Sequence, residues 1–234
     1  MSSASPTRLD ADALLFDLDG VLVDSTANVE RHWRDWATSN GLDAERILSV
    51  VHGRRAIDSI REQAPHLDAE RELATLVEAE MRDTAGILVF DGAATLLASI
   101  PRGRWAIVTS GTHGVASARL RTAGLPIPDV LITADRVSRG KPDPEGYLAA
   151  ARALGLTASG CVVVEDAPAG VEAAQRAGMR CIAITTTHPA TELASATTVV
   201  RELRDISVVA TAGGLSVAVA TAGSIDRRLG ALGE

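Results

Sequence analysis

The stretch Leu14-Leu15-Phe16-Asp17-Leu18-Asp19-Gly20-Val21 decides the fold of this chain. A short apolar run of this kind reads as a buried strand, and Gly20 marks where it breaks. Residues i and i+2 of a strand project to the same face, so Asp17 and Asp19 are expected to point together from the strand's C-terminal end. Two unpaired carboxylates there repel each other, which calls for a cation, a shared proton, or both. In open α/β sheets that end of the strands is where ligands bind.

Beyond Gly20 the pattern changes. Residues 26–85 read as helices with short breaks. The first is capped by Ser25 or Thr26, carries Val29, Trp33, Trp36 and Ala37 on one face, and stops at Asn40-Gly41. From Ala93 onward helix and strand alternate, with strands at Trp105-Ala106-Ile107-Val108, Val130-Leu131-Ile132, Cys161-Val162-Val163-Val164 and residues 180–184. Such alternation signals βαβ units and a parallel sheet. The expected architecture is a doubly wound, Rossmann-like α/β core, residues 11–20 and 90–222, with a small all-helical cap, residues 21–89, inserted after the first strand. Near the end, residues 207–219 read as a β-hairpin with a primed turn at Gly213-Gly214, and residues 224–234 as a frayed tail.

The bulk properties exclude several classes. The chain has 234 residues, 46% hydrophobic content and a formal net charge of −7. It shows no basic run or aromatic-studded basic stripe, which argues against a nucleic-acid partner. Residues 1–12 are polar and lack the apolar core of a signal peptide. The weakly polar stretch 208–222 is broken by two glycines and is too short to span a bilayer. A cytoplasmic protein is expected, without a membrane partner, and nothing demands more than a monomer. Cys161 and Cys181 read as buried small hydrophobes, since their separation fits no metal spacing and a reducing cytosol disfavours a disulfide.

Four strand ends carry polar groups. After Asp17 and Asp19 comes Val108-Thr109-Ser110-Gly111, a hydroxyl and backbone N–H groups just before a helix, where an anion is favoured. Then Gly140-Lys141-Pro142-Asp143-Pro144 mounts a lysine on a stiff loop. Finally Val164 is followed by Glu165-Asp166. Singly, each feature has an ordinary explanation as a helix cap or a surface charge. Together they form the set that phosphoryl transfer needs: a nucleophile, a divalent cation, donors for the phosphate oxygens and a proton for the leaving oxygen. Asp17 is expected to be the nucleophile and Asp19 the general acid and then base. Thr109, Ser110, Gly111 and Lys141 are the expected phosphate binders. Asp17, the backbone carbonyl of Asp19, and Asp166 are expected to hold Mg²⁺, with Glu165 binding it through water or orienting its shell.

At these residues the chain resembles the haloacid dehalogenase superfamily of aspartate-nucleophile hydrolases. The matching motifs are Asp17-Leu18-Asp19-Gly20-Val21-Leu22-Val23-Asp24-Ser25, Thr109-Ser110-Gly111-Thr112, Gly140-Lys141-Pro142 with Asp143-Pro144, and Glu165-Asp166-Ala167-Pro168-Ala169-Gly170. All four occur in order across residues 14–184. The resemblance implies that the helical insertion is a cap that closes over the site and selects the substrate. Within the superfamily the chain is similar to small sugar- and polyol-phosphate phosphatases, through His52-Gly53-Arg54-Arg55-Ala56-Ile57-Asp58 in the cap, residues 105–111 and residues 163–170. That similarity implies a small phosphorylated sugar or polyol as substrate, and His52, Gly53, Arg54 and Arg55 as candidates for contacting it.

Two alternatives stay open. β-Phosphoglucomutases share the motifs but carry a His on the first cap helix, where this chain has Val29. A catalytically silent sugar-phosphate-binding protein could keep the fold, although every motif acid is intact here. Other readings fail on particular residues. Dehalogenases proper lack the second acid, Asp19. Phosphonate hydrolysis needs a cap lysine, and none occurs between Asp17 and Arg139. A response-regulator receiver has no cap, and an EF-hand needs Asp or Asn and then Gly where Val21 and Leu22 stand.

Overall fold

A computed structural model describes residues 6–51 and 53–220. The quoted stretch begins with strand β2 (Ala13–Phe16), every residue of which is buried. Its side chains alternate between two cores. Leu14 and Phe16 enter one, and Ala13 and Leu15 enter the other. A strand apolar at every position is what burial on both faces demands.

β2 lies inside a six-stranded parallel sheet. Its other strands are β5 (Trp105–Val108), β6 (Leu131–Ile132), β7 (Cys161–Glu165), β8 (Arg180–Ile184) and β9 (Thr198–Val200), in the order β6-β5-β2-β7-β8-β9. Phe16 stands level with Ile107 on one side and Val164 on the other. The chain runs outward from β2 through β5 and β6, then returns across β2 to β7. The order therefore reverses at β2, which makes its C-terminal end a topological switch point. Helices α5 (Ala93–Ser99) and α6 (His113–Thr122) pack into the core of Leu14 and Phe16, and helices α7 (Glu145–Ala153) and α8 (Pro168–Arg176) into the core of Ala13 and Leu15.

Between β2 and α5 lie four cap helices: α1 (Thr26–Ser39), α2 (Ala44–Val51), α3 (Ala56–Gln63) and α4 (Ala69–Arg82). They bury a core of their own around Trp33, Trp36, Ile47, Leu48, Ile60 and Leu76, with the two indole rings edge to face at 5.3 Å. Asp24 Oδ1 accepts from the Thr26 amide and Asp68 from the Arg71 amide, so α1 and α4 each start on a carboxylate. A two-stranded antiparallel ribbon, β3 (Val23–Asp24) with β4 (Leu88–Val89), ties the two chain crossings between cap and core. The segment read as all-helical thus has strands at its base.

Three expectations change. The first strand stops at Phe16, so Asp17 and Asp19 lie just beyond it and strand alternation does not set their direction. Residues 7–10, left outside the core, belong to β1 (Thr7–Ala11). This strand pairs antiparallel with β11 (Leu215–Val219), which also pairs with β10 (Ile206–Ala210). Between β10 and β11 the turn runs from Thr211 to Gly214, closed by the Thr211 amide donating to the Gly214 carbonyl at 2.8 Å and the Gly214 amide donating to Thr211 Oγ1 at 3.1 Å. Neither Ala212 nor Gly213 has positive φ, so the turn is not a primed one. The expected tail, residues 224–234, lies outside the described residues. Both cysteines are free and buried, as anticipated. Among the described residues no helix is long and apolar enough to cross a membrane.

Candidate active site

Past Phe16 the backbone leaves the sheet in a tight loop. The Asp17 amide still donates to the Val164 carbonyl at 3.0 Å, which fixes Asp17 between β2 and β7. Leu22 and Val23 then donate back to the Leu18 carbonyl, and Gly20 donates to the Val23 carbonyl. Gly20 has φ +82°, and an added Cβ would lie 2.0 Å from Asp166 Oδ2. Glycine is required here twice, for the backbone and for the space beside Asp166.

Asp17 and Asp19 line one cleft, and their partners differ. Lys141 Nζ lies 2.8 Å from Asp17 Oδ1 and 2.6 Å from Glu165 Oε1. Glu165 is saturated. The Lys141 ammonium and the Tyr147 hydroxyl donate to Oε1, at 2.6 and 2.7 Å, and the amides of Asp166 and Ala167 donate to Oε2, at 2.9 and 3.2 Å. Burial opposes its charge, but the lysine and these donors outweigh burial and hold its pKa below the ordinary value. Asp17 shares the same lysine without such donors. Burial, aided by the charges of Glu165 and Asp19, outweighs Lys141 and pushes its carboxyl up to about 7. One cation thus stands between two acids, and Glu165 has the further donors.

Asp19 accepts from the Ser25 hydroxyl on Oδ1 at 2.6 Å and pairs with Arg119 on Oδ2 at 2.8 Å. Ser25 does stand at the start of α1, yet its hydroxyl makes no bond to the helix backbone; it is spent on Asp19. Arg119, on α6, reaches in the other direction to Glu80 of cap helix α4, at 3.1 Å. Its side chain is 6% exposed. Burial raises the Glu80 carboxyl, and Arg119 only partly offsets it. Neither Arg119 nor Glu80 figures among the site residues expected from the sequence.

Asp17, Glu165 and Asp166 bring carboxylate oxygens within 4.8 Å of one another. Thr187 donates its hydroxyl to Asp166 Oδ2, and Asp166 Oδ1 is buried with no partner. Burial and the neighbouring acids raise the Asp166 carboxyl well above its usual value. An orphaned, buried carboxylate oxygen beside two more acids fits a hard divalent cation of the Mg²⁺ kind. With its four donors in place, Glu165 fits orienting Lys141 and the shell better than direct ligation.

The remaining expected residues divide. Thr109, Ser110 and Gly111 line the cleft. Thr109 Oγ1 accepts from the Gly111 amide at 3.0 Å, and Ser110 donates its hydroxyl to the cap carbonyl of Gly53 at 2.9 Å. Gly53 and Arg54 also line the cleft, and Arg54 pairs with Glu62 at 2.6 Å. Arg55 does not line it. Its guanidinium is bound by Asp58 and donates to the Val137 carbonyl at 3.0 Å, against Gly140, so it seats the cap on the Lys141 loop. Arg55, expected to contact substrate, here makes a cap-to-core contact. His52 lies outside the described residues. His188, given no role from the sequence, lines the cleft next to Thr187.

The cleft has a volume of ≈ 100 Å³. Pockets for drug-sized ligands run to roughly 300–1,000 Å³, so this one suits something smaller.

The chain has relatives among known proteins. The chain is 45% identical over 199 residues to hexitol phosphatase A of Escherichia coli K12, covering 83% of this chain and 92% of that protein. It is 36% identical over 198 residues to glycerol-1-phosphate phosphohydrolase 2 of Saccharomyces cerevisiae, covering 79% of each. Among solved structures it is similar to a hydrolase from Pseudomonas syringae, with TM-score 0.74 and 27% identity over 82% of this chain and 94% of that one. Residues 11–178 match the haloacid dehalogenase-like hydrolases, and the chain belongs to that family.

Proposed function

We propose that this protein is a Mg²⁺-dependent phosphatase that hydrolyses a small phosphorylated sugar or polyol through an aspartyl-phosphate. The observation that carries the reading is the division of partners between the two aspartates: Asp17 against Lys141, and Asp19 against Ser25 and Arg119, across one small cleft. The names of the hexitol and glycerol phosphate relatives support the substrate class.

In this mechanism the Asp17 carboxylate attacks phosphorus, and the bond from phosphorus to the leaving oxygen breaks. Asp19 gives that oxygen a proton, then takes one from the water that attacks the aspartyl-phosphate, releasing phosphate and restoring Asp17. Asp19 is held at both oxygens. Arg119 keeps Oδ2, while the Ser25 hydroxyl at Oδ1 can donate or accept and so tolerates either protonation state. Lys141 offsets the phosphate's charge, and Ser110 serves it by turning its proton from the Gly53 carbonyl. Mg²⁺ held by Asp17, the Asp19 carbonyl and Asp166 supplies further charge stabilisation when bound. Val29 lines the cleft as an apolar surface where a mutase carries His, which favours water as the phosphoryl acceptor.

The test is phosphate release from glycerol, hexose and hexitol phosphates and from nucleotides. Turnover of the sugar or polyol phosphates with Mg²⁺, lost in EDTA, is the expected outcome; no turnover of any of them overturns the reading.

Gly20→Ala probes the cation site. The left-handed backbone alone costs an L-residue about 1–2 kcal/mol, and the new Cβ displaces Asp166. Activity in the variant is expected to recover in part as Mg²⁺ is raised. A deficit equal at all Mg²⁺ concentrations would separate Gly20 from that site.

A further inference from the structure

We propose that Glu80 is a specificity-determining residue, its carboxylate receiving hydroxyl groups of the leaving group while closing the cleft off from a mostly apolar cavity next to it. The inference rests on the phosphatase reading and adds what selects the substrate.

Arg119 places Glu80. Its two terminal nitrogens hold Asp19 at 2.8 Å and Glu80 at 3.1 Å, so a cap carboxylate stands one guanidinium away from the group that protonates the leaving oxygen. Among the described residues Glu80 is the one acid that the cap contributes to the cleft lining. A carboxylate repels a phosphate, so the phosphate belongs at the Asp17–Lys141 end, and Glu80 faces what is attached to it. Ionised, Glu80 can only accept hydrogen bonds, and a polyol offers donors for it. Its charge is also too buried to be an ordinary surface acid, at 10% exposed. Arg119 stabilises it incompletely.

Next to Glu80 lies a second, mostly apolar cavity of ≈ 240 Å³, lined by Leu73, Leu76, Val77 and Val115 and also by Glu70 and Asp135. It shares Ala56, Glu80, Ser110 and Gly111 with the catalytic cleft. Glu80 thus does two things that favour the same substrates. It rewards hydroxyls, and it bars apolar groups from space they would fill.

The experiment compares kcat/KM for a hexitol phosphate with that for p-nitrophenyl phosphate, whose leaving group has no hydroxyl beyond the reacting oxygen. In Glu80→Ala the polyol-to-aryl ratio is expected to fall roughly tenfold or more, the scale of losing a hydrogen bond to a charged group, with KM for the polyol phosphate rising. Glu80→Gln keeps an acceptor oxygen and an Arg119 partner, so an intermediate ratio is expected; this variant also carries the test if the alanine variant melts early. Glu78→Gln, an exposed acid on the same helix paired to Arg82, is expected to keep the wild-type ratio. A parallel fall for both substrates, or no change in ratio, makes the ion pair structural only and overturns the inference. A wild-type protein that cleaves p-nitrophenyl phosphate but no polyol phosphate overturns the substrate reading instead.

Discussion

Asp17→Asn is expected to abolish phosphate release and to leave the fold intact. The carboxamide has the volume of the carboxylate but no anionic oxygen to attack phosphorus. Removing a nucleophile from a set of groups that act as a unit costs at least about 10⁴-fold in kcat. Stability moves little, because burial disfavours the charge that the substitution removes: Asp17 is 5% exposed and its carboxyl is pushed up to about 7. Lys141 keeps Glu165 at 2.6 Å. A melting temperature in EDTA at or above the wild type is therefore expected, together with the loss of any acid-stable phosphoenzyme. Hydrolysis within tenfold of the wild type in a folded Asp17→Asn protein would remove Asp17 as nucleophile.

Local chemistry made much of this site readable, and distance hid the rest. A run apolar at every position, as in β2, announces burial on both faces without reference to its partners. The motif acids follow such runs, so their place at the C-terminal end of the strands could be read too. β1 is different. Thr7, Arg8 and Asp10 are exposed, and its strand character comes from pairing with β11 more than 200 residues away. Arg119 and Glu80 were hidden for a related reason, since the contact that gives them meaning joins the cap to the core. A signal did exist. Glu80 follows Leu76 by four residues, and Arg119 follows Val115 by four, so each charge sits on its helix's buried stripe. A charge on such a stripe needs a partner, and two of opposite sign on different helices suggest each other. Arg55 is the opposite case. Its sequence neighbours Gly53 and Arg54 line the cleft, but the intervening turn directs Arg55 to Asp58 and Val137.

Lys141 is the only lysine in a chain with twenty-two arginines, and that choice has a physical reason. The slot between Asp17, Glu165 and the Tyr147 ring is closed, with the side chain 7% exposed and the ring centroid 5.4 Å from Nζ. A compact ammonium fits two carboxylates at 2.8 and 2.6 Å, whereas a planar guanidinium presents a wider fork. Lys141→Met leaves both acids buried without their cation. Breaking a buried pair by removing one partner costs about 3–5 kcal/mol, and at roughly 2–4 °C per kcal/mol for a chain of this size the melting temperature falls by about 6–20 °C. Activity is expected to drop at least about 10²–10³-fold, the scale of losing one preorganised donor to the transition state. Lys141→Arg is expected to recover little of either loss. The double variant Lys141→Met/Glu165→Gln separates the two effects. Neutralising Glu165 removes one stranded charge, so stability returns in part while activity does not. If the double variant is no more stable than Lys141→Met, the lysine stabilises the fold by packing rather than by charge. If Lys141→Arg turns over at the wild-type rate, the slot does not require a compact cation.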